Sequence, residues 1–322
     1  MPEDVPLVAT RRGSLIESVH RGRVVICDPD GQVLEVTGDS EGYVYVRSSA
    51  KPFQAIPLIL SGAAEAFDFT DEEIAVICAS HSGEERHLTL VRSILNKIGL
   101  SEASLRSGPH PPFYAPDAAR LAQNGESPTP IHGNCSGKHA GMLALCVHEG
   151  WSTEDYRRSD HPAQRRILEA VAGVCGLNQD EVLLGGDGCG VPSFAMPLRN
   201  LATGFARLAT GEGLSDELAE ACGYIRLCMR NNPYLVAGTG RFDTSLMEGT
   251  DLIVKGGAEG VFACGSPEGW GVALKISDGA GRAVRPAALQ ALIRHGVAAP
   301  NQPESKLRDL HGEAVGIVFP IQ

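Results

Sequence analysis

Apolar and polar residues alternate in ways that divide this chain into recognisable elements. Val24-Val25-Ile26-Cys27 and Gln32-Val33-Leu34-Glu35-Val36 flank Asp28-Pro29-Asp30-Gly31, which predicts a hairpin closed by a Pro-Asp-Gly turn. Tyr43-Val44-Tyr45-Val46 is a further β-rich run leading directly into Ser48. The apolar stretch from Ala50 to Leu60 carries Pro52 near its start, where a helix tolerates proline, and predicts a helix. Ile74 to Ala79 is continuously apolar and predicts a strand running into Ser80-His81-Ser82-Gly83. From Glu84 to Ile98 the apolar spacing becomes that of an amphipathic helix, and residues 107–131, rich in proline and glycine, predict a long surface excursion.

A tight turn over 133–137 precedes an apolar helix from Ala140 to Val147. His161 to Val174 and Leu214 to Met229 predict two more helices, with the strand-like Val182-Leu183-Leu184 and the glycine-rich turn Gly185 to Gly190 between them. Leu252 to Lys255 and Gly271 to Ile276 predict a strand pair, followed by a helix from about Pro286 to His295. Strands toward both ends with helices between predict an α+β fold, a sheet built from both termini with an inserted helical lobe. No internal repeat or long linker divides residues 1–322, so one domain with two lobes is expected.

Composition narrows the class. With 322 residues the chain can bury a full core, and 38 Gly and 20 Pro suit a loop-rich enzyme better than a helix bundle. The net charge of −11, without any basic run, argues against nucleic acid and anionic membrane as partners. Met1-Pro2-Glu3-Asp4-Val5 lacks the basic and apolar regions of a signal peptide, and no apolar run approaches the roughly 18 residues of a membrane span. Nine widely spread cysteines fit reduced thiols rather than a disulfide framework. The expectation is a soluble cytoplasmic protein.

Lysine usage points to chemistry. Only six of the 28 basic residues are lysines, and three of these, Lys51, Lys138 and Lys255, sit beside serine, cysteine or glycine in loop-like sequence. A lysine among small residues can be desolvated, which lowers its pKa toward that of a usable base. Ser48-x-x-Lys51 has the spacing of a serine nucleophile and lysine base one helical turn apart, as in class A β-lactamases and penicillin-binding proteins. A serine N-cap with a solvated lysine is the bland alternative. Ser80 sits in a polar cluster after an apolar run, and Lys255 closes another apolar run before two glycines. Cys135 and Cys189 lie in glycine-rich turns, where they are harder to explain as core filler than Cys78 or Cys146. They offer two thiolates but no Cys-x-x-Cys pair, so a zinc site does not follow from spacing. Residues 133–139 are not a phosphate-binding loop, because His132 and His139 stand where glycine and Ser/Thr are needed.

Six segments taken together carry a resemblance. They are Arg47-Ser48-Ser49-Ala50-Lys51-Pro52-Phe53-Gln54, Cys78-Ala79-Ser80-His81-Ser82-Gly83-Glu84, His132-Gly133-Asn134-Cys135-Ser136-Gly137-Lys138-His139, Asp187-Gly188-Cys189-Gly190-Val191-Pro192, Val236-Ala237-Gly238-Thr239-Gly240-Arg241-Phe242-Asp243 and Lys255-Gly256-Gly257-Ala258-Glu259-Gly260. In this order, over roughly Leu7 to Ile317, they resemble the L-asparaginase II family, the rhizobial-type group of Ser–Lys enzymes. The resemblance implies a serine β-lactamase/glutaminase-like fold with a central antiparallel sheet, in a homodimer. It implies two Ser–Lys pairs, Ser48 with Lys51 and Ser80 with Lys255, facing one pocket. It also implies zinc held by Cys135, Lys138 and Cys189 with water in the fourth position, which requires a neutral lysine.

The expected reaction is hydrolysis of L-asparagine to L-aspartate and ammonia through a serine acyl-enzyme. Ser48 is the favoured nucleophile, because its base sits on the same helical turn. Arg47 and Asp187 are the candidates for binding the charged end of the substrate. Two other readings use the same residues. In one, Cys135 is the nucleophile of a cysteine amidase with His139 or His132 as base. In the other, the chain is a non-enzymatic zinc- or amino-acid-binding protein.

Overall fold

In a computed structural model, which describes residues 3–297 and 305–321, the first hairpins form where turn chemistry puts them. β1 (Val5–Arg12) folds back on β2 (Leu15–Cys27), and β2 passes through the Pro-Asp-Gly turn into β3 (Val33–Thr37). The Asp28 carboxylate accepts the Gln32 amide at 2.8 Å and closes that turn. At thirteen residues, β2 is long enough to serve several partners. Its first part pairs with β1, while Gly22–Cys27 pairs with β9 (Trp270–Ile276) and Val24–Cys27 pairs with β3.

The larger sheet is antiparallel and has eight strands. It runs β10 (Ser305–Arg308), β11 (Ala314–Pro320), β1, β2, β9, β8 (Val261–Ser266), β7 (Ile253–Gly256), with β3 as an extra partner of β2. A smaller sheet orders β4 (Tyr43–Tyr45), β6 (Pro192–Pro197) and β5 (Leu183–Gly186).

The inserted helices are α1 (Lys51–Leu60), α2 (Ala63–Ala66), α3 (Asp71–Ile77), α4 (Glu85–Lys97), α5 (Ala115–Gln123), α6 (Ser136–Glu149), α7 (Pro162–Val174), α8 (Leu198–Thr210), α9 (Asp216–Asn231), α10 (Pro233–Val236) and α11 (Phe242–Gly249). The last helix, α12 (Gly281–Arg294), follows β9. The α+β architecture with a helical insertion is the one the sequence predicts. Among the described residues, no helix is long and apolar enough to cross a membrane. All nine cysteines are buried and free.

Packing explains the element positions. α1 is buried from Lys51 to Leu58 and is surrounded by α6, α7 and α9, so its first turn lies deep in the molecule. α8 packs across β2, β8 and β9. A Cβ on Gly265 or Gly271 would collide with the α8 carbonyls of Phe205 or Ala202, so these glycines allow the close approach of helix and sheet.

Several expectations are corrected. Ile74 to Ala79 is not a strand but the end of α3 and the loop after it. Thr70 and Glu73 form a reciprocal capping box that starts a helix, and the apolar run is buried inside the helical layer. Leu252–Lys255 and Gly271–Ile276 do not pair with each other, because β8 lies between them. Its Gly265 disguises β8 in sequence. Residues 107–131 include α5, and the last helix begins at Gly281 rather than about Pro286, which it tolerates inside. α6 begins at Ser136, so Lys138 belongs to its first turn. β6 and α8 were not foreseen.

Candidate active site

Ser48 and Lys51 are positioned by the passage from β4 to α1. Arg47 takes a left-handed φ of 49°, a conformation that is costly for a bulky residue, and turns the strand into a short 3-10 turn over Arg47–Ala50. Ser49 ties this turn to β7 by donating its hydroxyl to the Lys255 carbonyl at 2.8 Å. α1 then starts at Lys51, with Pro52 in its first turn, and carries the Lys51 side chain into the interior, where it is 1% exposed.

There the Lys51 Nζ donates to the Ala79 carbonyl at 2.7 Å, the Ser80 Oγ at 2.9 Å and the Asn134 carbonyl at 3.4 Å. Ser80 lies in the loop after α3 and is held by its own amide bonding to the Val236 carbonyl at 3.0 Å. Burial lowers the Lys51 pKa from its ordinary value; nearby Lys138 adds to this, while Cys135 and Cys189 oppose it. Lys255, on β7, is fully buried; desolvation pushes it down to about 8 although Asp243 stands 3.7 Å away. Asp243 is fixed by the Gly256 amide at 2.8 Å.

Ser48, Ser80, Asn134, Lys255, Arg241 and Arg285 are among the groups lining one cavity of about 370 Å³. The two serines and Lys255 therefore face a shared space. The pairing differs from the implied one: Lys51 is hydrogen-bonded to Ser80, a residue from another element, and no side-chain bond joins Ser48 to Lys51 or Ser80 to Lys255.

A second cluster adjoins the first. Lys138 comes from the start of α6, and Asp187 and Cys189 from the turn between β5 and β6. Gly137 allows α6 to meet α3, since a Cβ there would strike the Val76 carbonyl. The Lys138 Nζ donates to the Cys189 Sγ at 3.2 Å and lies 3.8 Å from the Asp187 carboxylate, whose other oxygen accepts the Arg47 Nε at 2.9 Å. A hydrogen bond with Cys189, aided by the charges of Lys51 and Lys138, holds the Cys135 thiol well below its ordinary value despite burial. The same bond and burial push Cys189 up. Burial opposes the Lys138 ammonium, yet Cys135, Cys189 and Asp187 outweigh it and raise its pKa. Burial also works against the Asp187 carboxylate, but Lys138 and Arg47 hold its pKa below the usual range.

Among the described residues, no group of three or more His, Cys, Asp or Glu side chains is placed to hold a metal ion. The expected zinc therefore depends on Lys138 as its third donor. Two buried thiols and an amine meeting at one place fit a three-donor site with an open position, provided the lysine gives up its proton. The histidines proposed as bases for Cys135 are committed elsewhere. His139 Nδ1 lies 2.7 Å from the Tyr156 hydroxyl, and His132 Nδ1 accepts the Thr129 amide at 3.0 Å. His81 follows Ser80 in the loop after α3 and is buried. Its Nδ1 accepts the Gly83 amide and its Nε2 meets the Ser136 hydroxyl at 2.8 Å, while burial keeps the ring neutral. Sequence reasoning singled out neither Asp243 nor Asn134 individually, although both lie inside the quoted motifs; Arg285 lies in none.

Comparison with known proteins agrees with the resemblance. The sequence profile of the family described as L-asparaginase II matches residues 8–317. A search of curated proteins finds no match to this chain. Among solved structures, the fold is similar to Mglu in its native form, with a TM-score of 0.51 and 13% identity, over 88% of this chain and 67% of that one. Its glutamate form gives 0.50 and 13%, over 89% and 63%. The chain thus spans about two thirds of the length of these neighbours. A looser likeness, TM-score 0.40 at 13% identity over 85% and 82% of the two chains, is to a probable glutaminase from Bacillus subtilis complexed with 6-diazo-5-oxo-L-norleucine.

Proposed function

This chain belongs to the L-asparaginase II family of amidohydrolases, and on that premise we propose that it hydrolyses L-asparagine to L-aspartate and ammonia through a serine acyl-enzyme. The observation that carries the reading is the hydrogen bond of 2.9 Å between the buried Lys51 Nζ and the Ser80 Oγ. As a neutral amine, Lys51 accepts the serine proton while the oxygen attacks the side-chain amide carbon. The proton then goes to the departing nitrogen, ammonia leaves, and water hydrolyses the ester with the same amine as base. Ser48 and Lys255 supply a second hydroxyl and a second depressed amine to the same cavity. The lysine contact favours Ser80 as the attacking hydroxyl over Ser48, which spacing alone favoured.

Asp187, oriented by Arg47, takes the substrate ammonium in this reading. Cys135, Lys138 and Cys189 would hold zinc, which when bound supplies a Lewis acid or a fixed positive charge beside the pocket. The reading also includes a cytoplasmic location, expected from the sequence, and the homodimer that the resemblance implies, which analytical ultracentrifugation tests. Ammonia release from L-asparagine in a coupled assay, with L-glutamine as comparator, tests the activity. Absence of release from L-asparagine would refute it.

A further inference from the structure

The serine cavity carries more positive than negative charge along its lining. Three cations, Lys255, Arg241 and Arg285, line it with one carboxylate, Asp243. Asp243 is already shared between the Gly256 amide and Lys255. That leaves the two arginines, in a chain whose net charge is −11 and whose carboxylates outnumber its cations.

Many arginines of this molecule stand beside a carboxylate. Arg12, Arg47, Arg86, Arg92 and Arg158 each stand within 3.0 Å of one. Arg241 and Arg285 make no ion pair and no side-chain hydrogen bond among the described residues. Each is instead placed over an aromatic ring lining the same cavity, Arg241 5.6 Å from the centroid of Phe113 and Arg285 5.8 Å from that of Phe242.

Arg285 is the more constrained of the two. It projects from the second turn of α12, immediately before Pro286, and its Nε and Nη2 are shut off from solvent without an acceptor. Buried guanidinium nitrogens normally find partners, because leaving them bare costs free energy. Its Nη1 is the remaining nitrogen through which the charge can be met. A guanidinium set over a ring, short of an acceptor and lining the same cavity as two serines can receive a small anion such as a carboxylate through its Nη1.

We propose that Arg285, assisted by Arg241, forms a carboxylate-binding subsite in the serine cavity that anchors the free carboxylate of an amino-acid amide. The subsite makes the enzyme selective for amides that keep a free carboxylate, and it disfavours amides that lack one. This rests on the amidohydrolase reading above. It adds a residue that the six motifs do not contain.

The test compares wild type with Arg285→Met on L-asparagine and on L-asparaginamide, which has the same side-chain amide but no free carboxylate. Binding of L-aspartate by calorimetry is measured in parallel. The expected result is a KM for L-asparagine raised about 10- to 100-fold with kcat within about threefold, and kinetics on L-asparaginamide nearly unchanged. L-aspartate should bind correspondingly more weakly, and Arg285→Lys should recover part of the loss. Equal losses on both amides, or unchanged KM and L-aspartate affinity, overturn the proposal. If wild type hydrolyses neither amide, the activity reading fails, but the L-aspartate titration still decides the subsite. Weaker binding by the variant supports it, and equal binding, or none by wild type, overturns it. Arg285→Gln takes the place of Arg285→Met if a melting curve shows the latter to be unfolded.

Discussion

Replacing Lys255 by methionine should destroy activity and yet make the protein more stable at neutral pH. Lys255 is fully buried and its pKa is pushed down from 10.5 to about 8. At pH 7 it is protonated in both folded and unfolded chains. A gap of about 2.5 units at 1.36 kcal/mol each means that holding the ammonium in the fold costs about 3 kcal/mol. Methionine fills a similar volume without charge. The variant loses the 3.0 Å bond from Nζ to the Gly256 carbonyl, worth about 1 kcal/mol, which leaves a net gain of about 2 kcal/mol. Asp243 keeps its bond from the Gly256 amide.

The pH dependence has a definite sign. Between about 8 and 10.5 the unfolded chain binds the Lys255 proton more tightly than the folded one, so wild-type stability rises with pH across that window. The advantage of Lys255→Met should therefore shrink above about pH 8, vanish near about pH 9.5 and turn into a deficit of about 1 kcal/mol by about pH 10.5. Urea unfolding of both proteins at several pH values measures the gap, and turnover of L-asparagine measures the loss, about 10²-fold or more. A variant less stable than wild type at pH 7, or a gap that does not change with pH, would refute the assignment of Lys255 as a desolvated cation.

Ser80→Ala and Lys51→Met should each lower turnover by about 10³-fold, with the double variant little worse, because the two act as one unit; fully additive losses in steady-state assays would separate them. Ser48→Ala should leave a serine ester detectable at Ser80 by mass spectrometry after rapid quenching, and an ester found only at Ser48 in wild type would reverse the assignment. If a neutral Lys255 is required, kcat/KM should climb with pH and level off above about 8, so a flat profile from pH 6 to 9 counts against it. Zinc should bind the folded chain at about one equivalent and be lost as pH falls, with measurable turnover surviving chelation. Activity that tracks zinc occupancy down to zero would transfer the chemistry to the metal.

The residues of the site were legible in the sequence to a greater degree than their partners. Ser48, Lys51, Ser80, Lys138 and Lys255 stand out because serine–lysine spacings and glycine-rich turns are local signals. The contact from Lys51 to Ser80 is not local, since the two residues sit on a buried helix and on the loop that follows another helix. Helical spacing suggested the nearer serine, and tertiary packing chose the farther one. The same limit applies to elements. The hairpin at Asp28–Gly31 could be read from its turn, whereas Ile74–Ala79 looked like a strand because an apolar run has no period of its own. Its helical state is decided upstream, by Thr70 and Glu73. Arg285 gives no signal in sequence because it lies inside an ordinary-looking helix, and only the fold shows that its charge is unmet.

The order of strands in the larger sheet also dictates when the protein can fold during synthesis. β1 needs β11, with Val8 opposite Pro320, and β2 needs β9, with Gly22 opposite Ile276. At about 5–20 residues per second, roughly 15–60 s separate translation of the first hairpin from that of its last neighbour. Throughout that interval the strand edges are unpaired, and the run Val24 to Cys27 has no β9 to cover it. The helical insertion emerges in the meantime, but Ser48 and Lys255 cannot share a cavity until β7 to β9 have left the ribosome. Yield of active enzyme should accordingly depend on expression temperature and chaperone supply more steeply than the stability of the finished protein does.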